Sequence, residues 1–418
     1  MHILIIPSEE YIPIDKPTAG IFQHDQARIL KEKNNKVGAL SFSFKYSIFS
    51  LIKAVLAIKN KRTKNINLPH LLVLIFQQIF IPLKSSLTHE TIDGIDIFRC
   101  EGGWGIKRNS HEMSLYQMWI RYGDFSIRNY ISTHGKPDVI HAHNIIYAGL
   151  LATFIKKKYD IPIVITEHSS QYSMQYISPL LNSKIKECLN NNLNVFTVGA
   201  ELKLQLEKKY DIKTSNLKVL PNVIDPRIEA TALQKSTPKK SVSFLNIGNL
   251  IPLKGQEELI RAFAKAFKSK EDVTLIIIGE GYLETSLNQT IIDLNLSTKI
   301  RLVGLKSRKE IINYIDSCDV FVLPSHYETF GVVLIEALSR GKPVISTFCG
   351  GPESIVNKSN GLLVVPKNIE ELSEALKKMY LNYSTYKPHQ IRSNLIDSYG
   401  KEVFYKKVEK IYESAIKS

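Results

Sequence analysis

The amino-acid sequence predicts an α/β protein with two doubly wound, mainly parallel sheets, and three observations carry that expectation. Short runs rich in Val, Ile and Leu recur along the chain, and many are continuously apolar, as strands covered on both faces require. Segments of helical spacing separate the runs, which is the pattern of βαβ units. The length of 418 residues suits two domains at roughly 100–200 residues each, so two sheets of about six strands fit better than one very large sheet.

The strands are read in order. The first half offers His2–Ile6, Val37–Phe42, Asp138–Ala142, Ile163–Thr166 and Val195–Val198. The second half offers Val242–Ile247, Val273–Ile278, Ile300–Val303, Val320–Leu323, Pro343–Ser346 and Leu362–Val365. The seam follows Leu220-Pro-Asn-Val-Ile-Asp-Pro226, and the polar stretch from Ala230 to Lys240, with Pro238, reads as a linker. This gives a first domain over 1–225 and a second over 226–399.

Composition narrows the class. With 44% hydrophobic and 23% charged residues the chain is an ordinary globular protein, not a disordered or collagen-like one. Cys100, Cys188, Cys318 and Cys349 are far apart and form no C-x-x-C pair, so they read as reduced, buried thiols of a cytosolic protein rather than a zinc or redox site. The net charge of +15 favours anionic partners, namely nucleic acid, an anionic membrane surface or phosphorylated substrates. The amino terminus lacks the layout of a signal peptide and reads as a first buried strand. No stretch of about 20 apolar residues predicts a spanning helix.

Residues 44–83 break the alternation. Ile48, Leu51, Ile52, Val55 and Ile58 fall at helical spacing beside Lys53 and Lys59, with Lys61, Arg62 and Lys64 following and no acidic residue from Lys45 to Lys64. A basic amphipathic helix followed by an apolar hairpin suits an anionic membrane surface: cations meet headgroups and apolar side chains meet the acyl boundary. The plainer reading is a crossover helix with a solvated basic edge.

The segment Asp319–Pro343 reads as strand, loop, helix, turn and strand. Gly341 lies where a helix C-cap is wanted, and Pro343 forbids continuation. The helix should begin near Phe330-Gly331-Val332, where free N–H groups and the positive dipole end form an anion site suited to a diphosphate. Glu328 lies in the loop before it and Glu336 inside it, each able to accept hydrogen bonds from sugar hydroxyls. Taken singly, Glu336 reads as a helix ion-pair residue and Glu328 as a solvated loop charge.

The Glu-x₇-Glu spacing of Glu328 and Glu336 within Pro-Ser-x-x-Glu-x-Phe-Gly resembles the retaining glycosyltransferases of family 4, which have the GT-B fold. Gly248-Asn-Leu-Ile-Pro-Leu-Lys-Gly255, Gly279-Glu-Gly281, Thr347-Phe-Cys-Gly-Gly-Pro-Glu353 and Asn360-Gly361 sit in register with the same family. The resemblance is strong over Asn222–Pro366 and weak in the first half. It implies two Rossmann-like domains facing each other across a cleft, with a final helix near 400–418 packing back on the first. It implies that Glu328 holds donor-sugar hydroxyls, Glu336 the ribose hydroxyls, and that Lys254 neutralises the diphosphate. Negative charge grows on that phosphate as the glycosidic bond breaks, so a cation there has a physical task. Asn249 stands where the family usually has Arg, and carries neither charge nor fork; Lys306 or Arg308 could substitute for it.

In the first half, Thr166-Glu-His168 ends a strand, and the resemblance assigns His168 to the donor sugar, against a plain loop histidine. His143 is expected to face the cleft on the acceptor side, and its neighbour His141 to be structural. Gly20 fits the family's glycine loop near the diphosphate, or an ordinary turn, and Tyr11–Thr18 would be a flexible acceptor-side loop. Gly279, Glu280, Phe330, Gly331 and Val332 complete the expected donor site with Asn249.

The expected function is transfer of a sugar (a hexosyltransferase-type reaction, EC 2.4) from a nucleotide sugar to an acceptor hydroxyl with retention, the acceptor being a lipid-linked glycan of bacterial surface polysaccharide. No cofactor and no essential metal are expected, because no Asp-x-Asp pair occurs. No nucleic-acid partner is expected; the protein would be cytoplasmic, peripherally associated with the inner face of the plasma membrane. No G-x-G-x-x-G follows the first strand and no P-loop occurs, which excludes a dinucleotide dehydrogenase and a P-loop NTPase. A glycosidase needs carboxyls facing across the bond, not beside a phosphate site. A non-catalytic nucleotide-sugar-binding partner of a polysaccharide complex, or an epimerase of the same fold, stays open at this stage.

Overall fold

The computed structural model describes residues 1–12, 20–45, 86–103, 111–169, 172, 177–212, 217–233 and 241–418. All but the first two residues of the basic apolar stretch read at 44–83, most of the Tyr11–Thr18 loop and much of the 230–240 linker lie outside the described residues. The chain forms two compact units. Unit 1 comprises Met1–Thr166, Tyr176–Asn194 and Tyr412–Ser418; unit 2 comprises Glu167–Gln175 and Val195–Ile411.

The first half runs β1 (His2–Pro7), α1 (Ile21–Glu32), β2 (Lys36–Lys45), β3 (Ser86–Ile92), β4 (Ile95–Gly103), α2 (His111–His134), β5 (Val139–His143), α3 (Leu150–Tyr159), β6 (Ile163–Glu167) and α4 (Pro179–Asn191). It continues through β7 (Val195–Thr197), α5 (Ala200–Tyr210), β8 (Leu217–Val219) and α6 (Pro226–Ala230). The strand order is β3-β4-β2-β1-β5-β6-β7-β8. β1 pairs in parallel with β2 and β5, whereas β3 pairs antiparallel with β4. β1, β5 and β6 are buried along nearly their whole length, which is why they read as continuous apolar runs.

The second half contains β9 (Val242–Ile247), α7 (Gln256–Phe267), β10 (Val273–Ile278), α8 (Glu284–Asp293), β11 (Ile300–Leu302), α9 (Arg308–Ser317), β12 (Val320–Leu323), α10 (Val332–Ser339), β13 (Val344–Thr347), β14 (Gly361–Val364), α11 (Ile369–Asn382), α12 (Pro388–Tyr399) and α13 (Lys401–Lys417). Its sheet is ordered β11-β10-β9-β12-β13-β14 and parallel throughout. The order reverses between β9 and β12, the topological switch point at which doubly wound sheets bind ligands. Leu259, Ile260, Phe263 and Phe267 form one buried stripe of α7, and Phe263 and Phe267 meet Phe244 of β9. Each such ring stabilises the unit by about 1.5–3 kcal/mol through burial.

All eleven strands read from the sequence are present. Three more, β3, β4 and β8, were not anticipated. Tyr11, expected in a flexible loop, is fully buried: its hydroxyl lies 3.0 Å from His24 Nδ1, and its N–H donates to Ser41 Oγ at 3.0 Å.

Candidate active site

The site is built at the carboxyl edge of the unit 2 sheet, where the loops after β9, β10, β12 and β13 meet. Gly279 lets two of them run side by side, because a Cβ there would lie 1.9 Å from the Gly248 carbonyl oxygen. Leu250 N–H donates to Glu280 O at 2.8 Å and completes this seam. Asn249 and Glu280 are exposed upon it.

A second close approach sets the charged pair. Gly255 has φ +67° at the start of α7, and a Cβ on it would stand 2.1 Å from the Pro324 carbonyl oxygen. Only glycine permits both the left-handed backbone and that contact. The turn Pro252–Lys254 therefore lies against the loop after β12, fastened by His326 N–H donating to Leu253 O at 2.7 Å. Lys254 Nζ is thereby brought 2.6 Å from Glu328 Oε1, and Ser325 Oγ donates to the same oxygen at 2.7 Å. Glu328 is held by its backbone as well: its N–H donates to Cys349 O at 2.9 Å, and Gly351 N–H donates to its carbonyl at 2.8 Å. The side chains of Lys254 and Glu328 retain 23% and 12% exposure, so the pair is rigidly mounted yet reachable. Burial pushes the nearby Cys349 thiol up to about 12, reinforced by the Glu328 and Glu353 charges, so no thiolate nucleophile stands beside it near neutrality.

α10 follows directly. Gly331 caps it with φ +96°, Val332 opens it, and its first N–H groups have no intrahelical acceptor. The Phe330 ring is buried edge-to-face on Tyr399 with centroids 5.5 Å apart, so only its backbone is available to a ligand. Glu336 is buried one turn in. Arg308 Nη2 donates to its Oε1, while Oε2 is buried with no hydrogen-bond partner among the described residues. A buried acceptor left unpaired costs about 1–3 kcal/mol, which a ligand hydroxyl would relieve.

Arg308 also donates through Nε to Asp225 Oδ2 at 2.7 Å, and Asp225 accepts from Arg227 Nε at 2.9 Å. Despite burial, Glu336 and Asp225 hold the Arg308 guanidinium protonated far above the usual range. Despite its own burial, Arg227 and Arg308 hold the Asp225 carboxyl below the usual range. Arg308, suggested by the sequence as a stand-in cation for the diphosphate, is thus committed to two carboxylates and orients Glu336 instead. Asp225 and Ser325 belong to this arrangement: Ser325 stood in the Pro-Ser-x-x-Glu motif without a role of its own, and Asp225 stood only in the stretch read as the domain seam.

The first-half candidates differ. His168 sits in a turn organised by Glu167, a fully buried carboxylate that accepts from His168 N–H at 2.9 Å, Ser169 N–H at 2.7 Å and Tyr172 Oη at 2.8 Å. His143, expected to face the cleft on the acceptor side, is fully buried with its ring stacked on His141 at 4.4 Å. It ends β5, whose five residues are all buried. His141 is structural, bonded to Tyr412 Oη at 2.7 Å and Thr166 Oγ1 at 2.8 Å. Gly20 caps α1 with φ +69° and no side-chain cap bond.

Comparison with known proteins adds the family. Residues 229–397 match the model described as glycosyl transferases group 1, and residues 99–228 match the model of glycosyltransferase family 4, so the matches run without a gap from 99 to 397. An uncharacterized glycosyltransferase of Methanocaldococcus jannaschii is 29% identical over 296 residues, spanning 68% of this chain and 78% of its own. A Bacillus subtilis glycosyltransferase named for teichuronic acid biosynthesis, TuaC, is 28% identical over 263 residues, spanning 60% of this chain and 63% of its own. Among solved structures, Anabaena HepE in complex with UDP aligns with a TM-score of 0.69 at 17% identity, covering 99% of this chain and 100% of that one. At that identity the likeness speaks for the fold. The chain belongs to the family 4 glycosyltransferases of GT-B fold, and is a glycosyltransferase.

Proposed function

We propose that the protein transfers a sugar from a nucleoside-diphosphate sugar to an acceptor hydroxyl with retention at the anomeric carbon. The diphosphate would lie at the N-terminus of α10 beside Lys254, the ribose hydroxyls would donate to Glu336 Oε2, and the sugar hydroxyls to Glu328. The single observation carrying this reading is the convergence on one sheet edge of the 2.6 Å Lys254–Glu328 pair and a buried glutamate with one oxygen unsatisfied. As the bond from the anomeric carbon to the phosphate oxygen breaks, charge gathers on that phosphate, and Lys254 with the helix N–H groups offsets it. A new bond to the acceptor oxygen forms on the same face, and the acceptor proton passes to the departing phosphate. Asn249 contributes no charge here, so Lys254 carries that task in unit 2 without a second cation from Arg308. His168 is retained as a sugar contact and Gly20 as a diphosphate contact, while the buried His143 is given no contact with the acceptor; no metal is required.

The acceptor we infer is a lipid-linked glycan of bacterial surface polysaccharide, reached from the cytoplasmic face of the membrane. The name of the Bacillus subtilis relative supports the polysaccharide setting. The basic apolar stretch at 46–83 supports the membrane surface by sequence alone, and among the described residues no helix is long and apolar enough to cross a membrane. The domain seam at 225/226 stays our proposal from the sequence, although Val195–Asp225 falls within the second compact unit.

A panel of UDP-, GDP- and ADP-sugars, assayed with and without chelator and with product anomers read by NMR, tests the reaction. One nucleotide class should yield product of unchanged anomeric configuration in the presence of chelator. Inverted product, or no turnover with any donor, would reject the reading. Flotation with phosphatidylglycerol vesicles tests the surface: the wild type should float and the Lys59/Lys61/Arg62→Glu variant should not.

A further inference from the structure

We propose that His89, Asp96 and His134 of unit 1 bind one divalent transition-metal ion of the zinc class, which fastens the edge hairpin of the larger sheet to the C-terminal end of α2. This is separate from the transfer reaction and does not depend on it.

Local structure brings the three together. β3 and β4 are joined by Asp93-Gly94, with φ of +50° and +72°, the two-residue turn that matches strand twist. The register pairs Thr91 with Asp96 and His89 with Phe98, so His89, Thr91, Asp96 and Phe98 share one face of the hairpin. α2 ends on that face at His134. The His134 ring stacks on Tyr130 with centroids 4.9 Å apart and planes 11° apart, and meets Phe98 edge-on at 5.3 Å. Its Nδ1 is buried with no hydrogen-bond partner among the described residues, so packing rather than a hydrogen bond there aims Nε2.

The spacing is what favours a metal over an ion pair. His89 Nε2 lies 3.4 Å from Asp96 Oδ1, and His134 Nε2 lies 3.3 Å from Asp96 Oδ2. All three ligand atoms lie within 4.8 Å of one another. A charge-assisted N–H···O bond closes to about 2.7–2.9 Å. A tetrahedral ion with bonds of about 2.0–2.2 Å instead holds its ligand atoms roughly 3.3–3.5 Å apart, the separation of each imidazole nitrogen from the Asp96 oxygen it faces. Two imidazoles and a carboxylate form a borderline donor set that suits zinc and its neighbours rather than calcium or magnesium, and leave a fourth position for water. Asp96 is prepared for the role by Thr91 Oγ1, which donates to its Oδ1 at 2.9 Å. The helix C-terminus adds a favourable dipole end for a cation.

The test uses the full-length protein after dialysis against chelator. Cobalt(II) should bind with one equivalent, produce the intense visible bands of a tetrahedral site, and be displaced by zinc(II). Zinc should raise the melting temperature of the wild type. His89→Ala, at a half-exposed position that should not disturb folding, and Asp96→Asn should each lose the bands and weaken zinc binding about 100-fold or more. His134→Gln should do the same while retaining its circular dichroism; should it fail to fold, the other two variants decide the matter. Absence of tetrahedral bands in the wild type, or equal zinc affinity in His89→Ala and Asp96→Asn, overturns the proposal.

Discussion

Polar side chains at the carboxyl ends of strands meet two different fates in this molecule. At the end of β5, His141 and His143 stack on each other, and both nitrogens of His141 are engaged by Tyr412 and Thr166. Burial lowers the His141 pKa to about 3, so the ring is neutral and stands as packing. Beyond β9 and β12, Lys254 and Glu328 pair where solvent still reaches them, and Glu336 keeps an oxygen with no donor. Residue type alone does not separate a site from a core, since histidine is the commoner catalytic group and here it is the closed one. What separates His141 from Glu336 is whether hydrogen-bonding capacity is completed among the described residues.

Substitutions can break that contrast. The largest effect is expected from Lys254→Ala and Glu328→Ala, each lowering turnover by about 10³-fold, the upper range for removing a group that stabilises developing charge. Their melting temperatures should stay near wild type, and a fall in activity matched by a fall in folded fraction would assign the pair to structure.

Arg340→Met should do the reverse. Arg340 is buried and holds Asp316 through Nε at 2.6 Å and Nη2 at 3.0 Å. Its removal strands a buried carboxylate and should destabilise the fold by about 3–5 kcal/mol in urea titration, with turnover per folded molecule unchanged. Arg308→Lys keeps a charge but cannot serve Asp225 and Glu336 together, so we expect KM for the donor to rise roughly tenfold with kcat little altered. An unchanged KM would show that Glu336 does not need Arg308 to hold its position.

The smallest effect sharpens the histidine side. The folded state binds a proton at His141 only near pH 3, whereas an unfolded histidine does so near its ordinary value of 6.5. Between those values the unfolded chain holds more protons, so this residue's contribution is intact above pH 6.5 and is lost as pH falls, by about 1.4 kcal/mol per unit. Urea midpoints from pH 7 to 5 should show that slope in the wild type and a shallower one in His141→Gln. Equal slopes would contradict the neutral, buried assignment.

Much of this architecture was legible because parallel strands covered on both faces must be continuously apolar. β3 escaped because Ser86-Leu-Thr-His-Glu-Thr-Ile92 is an edge strand, largely exposed and polar. Its partner β4 alternates, and the Asp93-Gly94 turn was the signal that would have revealed both. β8 has only three residues, two of them exposed. In the site, the Glu-x₇-Glu spacing marked Glu328 and Glu336 as candidates and the family resemblance marked Lys254, whereas the pairing of Lys254 with Glu328 joins loops 74 residues apart and was not legible. Arg308's commitment to Glu336 and Asp225 was not legible, because it joins α9, α10 and the cap of α6, which are far apart in sequence. Nor was the burial of His143, which depends on what covers β5 rather than on β5 itself.

Titration calorimetry of UDP, GDP and ADP into the wild type, Lys254→Ala and Glu336→Gln reports most directly on whether a nucleoside diphosphate docks at the start of α10. One nucleotide should bind the wild type, and should bind both Lys254→Ala and Glu336→Gln at least tenfold more weakly. Identical affinity for that nucleotide in all three proteins, each shown to be folded, would contradict the assignment of the site.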